Sequence, residues 1–163
     1  MKRIAVIALV SYLAFALEFL LYNFWGAWGK PELLILVVIF FNLYLGIRFS
    51  IIAAIFCGVF KDSSGIAPFG TYVLVYISGA YVTTLVRQYL YQPGSRFSRG
   101  FVAFCVIVGC FIVQATLSNM YHEIHLGELL IYCLVPQLLT TMIAATYVFE
   151  QLKNIGNFFT LKS

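Results

Sequence analysis

Charge is what this chain has least of. Its 163 residues include 10 lysines and arginines and 6 aspartates and glutamates, or 10% charged, where soluble domains carry roughly a quarter. Hydrophobic residues make up 63%, and the mean hydropathy is +0.97. A soluble helix is apolar along one stripe, whereas windows such as Phe101 to Val113 are apolar all round, which requires lipid or the interior of a bundle. The composition excludes an ordinary soluble domain. It predicts an all-α integral membrane protein, with residues 1–163 forming a single transmembrane domain.

Reactive groupings are scarce as well. There is no G-x-S-x-G elbow and no phosphate-cradling glycine loop, and neither His122 nor His125 has a serine or cysteine companion. The sequence therefore reads as non-enzymatic and without a cofactor. Cys57, Cys105, Cys110 and Cys133 lie in apolar runs with no C-x-x-C spacing, and read as small apolar side chains rather than zinc or redox ligands. In "NMYHEIHLGE", His122 and His125 could share a helical face with Glu123 or Glu128. A zinc site needs further ligands and a supporting shell, so no metal is expected and the segment reads as a wet interfacial loop.

What the chain does have is long apolar runs, and they divide into six predicted transmembrane helices at about 4–22, 31–47, 49–65, 70–86, 100–117 and 129–149. The first run imitates a signal peptide with Ala14-Phe15-Ala16 as its cleavage site, but it continues to Tyr22 and is expected to stay as a span. The run from Pro31 to Phe60 is too long for one span of ~20 residues. An arginine in its middle, in Gly46-Ile47-Arg48, divides it into a hairpin. With N- and C-termini cytoplasmic, Lys2, Arg3, Arg48, Arg87, Arg96, Arg99, Lys153 and Lys162 fall inside and only Lys30 and Lys61 outside, a positive-inside distribution. Trp25 and Trp28 then stand where an outer aromatic belt belongs, and Pro93-Gly94 breaks a basic inner turn. The positive net charge reflects orientation against the lipid bilayer and its anionic headgroups, and no nucleic-acid partner is implied.

Few polar residues fall inside the spans. Glu18 lies about 6 Å from the outer end of its helix, and is expected to reach outer water, to pair with Lys30, or to touch a partner. Asn42, Gln114 and Gln137 suit interhelical hydrogen bonds of about 1 kcal/mol each. Pro136 is expected to kink the last span beside Gln137. Thr140 with Ala144, and Thr141 with Ala145, form small-xxx-small pairs that admit another helix.

The most informative stretch is "GVFKDSSGIAPFG", residues 58–70. From Phe49 to Phe60 a helix rises only about 18 Å, so to cross the bilayer it must run on through Lys61, Asp62, Ser63 and Ser64 to about Gly65. Lys61 is expected to snorkel outward, while Asp62 is too short to do so and must find partners inside the protein. Gly65 can end this helix, Pro68 cannot continue it, and Gly70-Thr71 opens the next. Asp62, Ser63 or Ser64 could satisfy the free amides there. Two compatible readings follow: a polar clasp between two helices, and a contact with a partner or ligand at the outer face.

At these residues the chain resembles the bacterial rod shape-determining MreD family. The resemblance rests on Pro31 opening "PELLILVV", Gly58 followed by Asp62, Asp62 followed by Gly70, and "TYVLVYISGAYV" as the next span. It implies a non-enzymatic component of the cell-elongation machinery in the bacterial cytoplasmic (inner) membrane. It also implies partnership with an MreC-like single-span protein, and through it with an MreB-type cytoskeleton and the RodA and penicillin-binding-protein synthase pair that builds side-wall peptidoglycan. The implied fold is similar to the S components of energy-coupling-factor transporters, which makes a vitamin- or small-molecule-binding subunit the alternative. Those components typically carry Ala-x-x-x-Ala on the first span. Here Ala5 is followed at that spacing by Leu9, and Ala8 by Tyr12.

Overall fold

The computed structural model describes residues 2–25, 31–64, 68–90, 96–121 and 135–160. These residues form six α-helices and no strand: α1 (Lys2–Trp25), α2 (Leu33–Leu45), α3 (Ile47–Ser64), α4 (Thr71–Leu90), α5 (Arg96–Tyr121) and α6 (Val135–Thr160). α1 and α5 each contain a segment long and apolar enough to cross a membrane, Ile4–Asn23 and Gly100–Leu117.

α2 is the centre of the bundle. Every residue from Pro31 to Leu43 is buried, and α1, α3, α4, α5 and α6 all pack against it. Its sequence, LLILVVIFFNLYL, has no polar face to turn outward. Away from water, a segment of this kind must satisfy its backbone internally, and a helix does so despite the β-branched residues. With 13 residues it rises only about 20 Å, well short of a ~30 Å hydrocarbon core. Its amino end is buried among protein groups, whereas at its carboxyl end Tyr44 is 43% exposed.

At one end the chain reverses within a single residue. Gly46 has φ 90° and ψ 176°, a region essentially closed to residues with a side chain. The Gly46 amide donates to Asn42 O at 3.1 Å and its carbonyl accepts from Ser50 N at 3.2 Å, so one helix closes where the next opens. The two helices run antiparallel, and Ser50 Oγ donates to Val38 O at 3.0 Å. Asn42 ties this end to α4 by donating from Nδ2 to Ala80 O (2.8 Å) and Thr84 Oγ1 (3.0 Å). Arg87 Nη1 donates to Asn42 O at 2.9 Å, placing a cation on the carbonyl end of α2.

The other helices are apolar outward as well as inward. Leu9, Leu13, Leu17 and Leu20 of α1 and Leu139, Ile143 and Tyr147 of α6 are each about half exposed or more. An apolar surface this extensive suits contact with lipid or a protein partner rather than water. Thr141 and Ala145 face inward and are buried, so that small-residue pair is occupied within the bundle. Thr140 and Ala144 are partly exposed. Pro136 is the second residue of α6 as described, and the residues whose path would show a kink, 129–134, lie outside the described residues.

α3 and α4 come into close contact at Gly58, where an added Cβ would come within 2.5 Å of Val73 Cα and 2.8 Å of Val73 N. Backbone cannot yield as a side chain can, so Gly58→Ala must push the helices apart. The substitution is expected to lower stability by about 1–3 kcal/mol, in spite of alanine's better helix propensity. Gly109→Ala, whose Cβ would meet only the Val82 methyl groups, at 3.6 and 3.8 Å, should be tolerated. Thermal unfolding in detergent checks both, and equal midpoints for the two variants would contradict the close approach.

Candidate functional site

The last turn of α3 carries two adjacent charges that point to different helices, because successive helical residues are about 100° apart. Lys61 turns toward α1 and α2, and Asp62 toward α4. Both are buried, at 7% and 5% exposure.

The Lys61 ammonium pairs directly with Glu18 of α1 and lies 3.7 Å from Glu32 Oε1. It also sits 5.6 Å from the centre of the Tyr72 ring, within range of a cation–π attraction. The expectation that Lys61 snorkels outward is thus corrected: two carboxylates inside the bundle hold its head where the bilayer surface was expected to draw it. Glu18, expected to reach water or Lys30, is 3% exposed and faces Lys61; Lys30 lies outside the described residues. Glu18 Oε2 also accepts from Leu34 N at 3.4 Å, which sets a negative charge at the amino end of α2 where the helix dipole favours it.

Glu32 extends the network to α6. Its amide donates to Thr141 Oγ1 at 3.1 Å, and that hydroxyl donates to Gln137 O at 2.6 Å. Gln137 lines a small cavity with Glu32, Ile107, Phe111, Gln114 and Leu138, and Gln114 Nε2 donates to Tyr72 OH at 3.3 Å. Charged and polar groups from α1, α2, α3, α4, α5 and α6 therefore meet at one end of the bundle. Glu32 and Tyr72 are participants that sequence reasoning missed. The available signal was an acidic residue immediately before a long apolar helix, where the helix dipole favours it and burial requires a cation.

Asp62 closes the α3–α4 turn. Its Oδ2 accepts from Gly70 N at 3.0 Å and Val73 N at 3.4 Å, and Oδ1 accepts from Tyr72 N at 3.0 Å. Thr71 N donates instead to Pro68 O at 3.2 Å, and the Thr71 hydroxyl reaches the same carbonyl at 2.7 Å. Every amide from Gly70 to Val73 thus has an acceptor, where a helix start ordinarily leaves such groups open. Gly70 has φ 99°, and the turn it makes brings its amide back to the carboxylate. Of the three side chains that could have served these amides, Asp62 does so. Ser63 and Ser64 are exposed, and their hydroxyls donate to Phe60 O at 2.8 Å and Lys61 O at 3.1 Å in their own helix. Pro68 is exposed, and Gly65 lies outside the described residues.

No group of three or more metal-ligating side chains occurs among the described residues, and His122, Glu123, His125 and Glu128 lie outside them. Cys57 and Cys110 are buried, Cys105 is partly buried, and all three are free thiols; Cys133 lies outside the described residues. The chemistry of the cluster is cohesive: it pairs a buried cation with carboxylates and saturates helix ends where six helices meet.

Two substitutions separate its halves. Asp62→Ala, which leaves three first-turn amides without their acceptor, is expected to lower stability by about 2 kcal/mol, and Asp62→Asn by less because one oxygen acceptor remains. Lys61→Met strands buried carboxylates and is expected to lose about 3–5 kcal/mol, most of it recovered when Glu18→Gln and Glu32→Gln are added. Thermal unfolding in detergent reads both. A triple variant no better than Lys61→Met would show that the ion cluster is not what the lysine stabilises.

Neither a curated protein nor a solved structure matches the chain. A family model does, over residues 2–153, and it describes the rod shape-determining protein MreD. That match covers nearly the whole sequence, including all the residues of the cluster, and the chain belongs to the MreD family of rod shape-determining proteins.

Proposed function

We propose that this chain is a non-enzymatic membrane scaffold of the bacterial elongation machinery, and that it helps to maintain rod shape during side-wall peptidoglycan synthesis. The observation that carries this reading is the family match across residues 2–153. In the proposed arrangement one domain of six spans crosses the inner membrane with both termini cytoplasmic, in an S-component-like fold. The Lys61 end then faces outward and the Arg87 end inward. The lysine and arginine distribution supports that orientation.

The scaffold's task is to bind an MreC-like single-span protein, and through it to engage the cytoskeletal and synthase components. Two features suit that task. The polar cluster ties α1, α2, α3, α4 and α6 to one another, so the bundle presents fixed faces. Its apolar outer surface, including Leu139, Ile143 and Tyr147 on one side of α6, offers a transmembrane helix extensive contact without breaking internal bonds. Gly58, Asp62 and Gly70 serve this function indirectly, by fixing the α3–α4 turn. Nothing supports the small-molecule transporter alternative.

Purification in mild detergent from the native host, followed by mass spectrometry, tests the reading. Co-purification of a single-span MreC-like protein is expected, whereas a vitamin bound in stoichiometric amount would overturn it. Orientation has its own check. A cysteine introduced by Ser63→Cys, at an exposed site, should react with a membrane-impermeant maleimide from the outside of the cell membrane. Reaction only from the cytoplasmic side would reverse the topology.

A further inference from the structure

Phe69 is 75% exposed, although the residues that follow it are held by hydrogen bonds. It lies between Pro68, whose φ is fixed by its ring, and Gly70, whose amide is bonded to Asp62. The Thr71 amide and hydroxyl both close on Pro68 O. The backbone that follows the ring is therefore pinned to α3 through Asp62.

Its height is set by three independent markers. Along the outward stripe of α3, Ile55 and Val59 are exposed and apolar, and the next residue on that stripe, Ser63, is exposed and polar. The surface thus changes character within one turn, about 6 Å, and Phe69 lies just past that change. On α1, Glu18 is level with Lys61 through their ion pair. Tyr22, one turn further along, is 46% exposed and so stands near the same height on a different helix. At the far end of α4 stands Tyr89, 82% exposed. The rise from Gly70 to Tyr89 is about 28 Å, close to a ~30 Å hydrocarbon thickness.

We propose that Phe69, presented on the turn pinned by Asp62, is a lipid-interface anchor that buries its ring at the boundary between headgroups and acyl chains and, with Tyr22, sets the depth of the Lys61 end in the bilayer. Trp and Tyr gather at that boundary, and exposed Phe side chains of interfacial segments bury their rings there. A rigid turn adds to the effect, because the ring enters lipid without first being ordered. The inference rests on the membrane-spanning reading above and not on the identity of any partner.

The test uses Phe69→Trp in a full-length background carrying Trp25→Phe and Trp28→Phe, reconstituted into phosphatidylcholine vesicles. The lipids carry bromine either near the headgroup end or near the methyl end of the acyl chain. A several-fold greater loss of emission is expected with the upper bromine than with the lower, with little quenching by aqueous iodide. Adding Asp62→Asn should weaken the depth preference and lower the fluorescence anisotropy. Quenching by iodide without quenching by lipid would overturn the anchor, and so would loss of lipid quenching when a co-purified single-span partner is bound. Ile55→Trp in the same background is the reference and should be quenched most by the lower bromine. If that variant meets lipid and Phe69→Trp does not, only the anchor fails; if neither meets lipid, the membrane-spanning reading fails with it.

Discussion

A carboxylate that cannot reach water organises the Lys61 end of this bundle. Asp62 is one residue from a buried lysine and one short turn from the end of α3, and its oxygens take the amides that open α4. An ionised group in a low-dielectric setting is tolerable only when paired or hydrogen-bonded. Asp62 meets that condition only if α3 ends, the chain turns and α4 begins in one geometry. Gly58 permits the close contact of the two helices, and Gly70 supplies the backbone conformation that brings its amide back.

The same constraint extends to the rest of the bundle through Lys61. Burial of apolar surface does little to arrange helices whose surroundings are themselves apolar, because lipid tails are as hydrophobic as leucine. Specific contacts must then decide which helix lies where. On α2 they gather toward its two ends, with Ser50 bonding Val38 O between them. Glu18, Lys61, Glu32 and Thr141 hold one end, and Asn42, Thr84 and Arg87 the other. Between them lies a helix with no polar face at all. α2 is central because its ends have partners inside the protein, while α1 and α6 keep broad apolar faces outward for lipid or another chain.

The helical class, the break at Gly46 and the need of Asp62 for partners inside the protein could be read from the sequence, the last two for a reason of length. Thirty apolar residues cannot be one span, and twelve cannot cross alone. What length does not fix is rotation about a helix axis or lateral order. Lys61 was expected to point outward because a lysine stem can reach the surface; that two carboxylates from distant segments wait for it inside depends on how α1 and α2 pack against α3. Glu32 stood beside Pro31 and read as the opening of a span, so its part in the cluster was hidden. α2 is the most uniformly apolar of the six helices, as a helix buried all round must be, but a lipid-facing span can be apolar all round as well, so that feature alone did not single it out as the central one. The role of the family, by contrast, came from motif order and size, and no single buried group announces it.

One carboxylate completes the start of α4, and amide hydrogen exchange in detergent-solubilised protein reads this residue by residue. First-turn amides of a helix normally exchange rapidly for want of an acceptor. With Asp62 as their acceptor, the amides of Gly70, Tyr72 and Val73 should exchange as slowly as those inside α4, and Asp62→Asn should accelerate them ahead of the rest of the helix. Fast exchange at these three positions in the unaltered protein would contradict that role of Asp62.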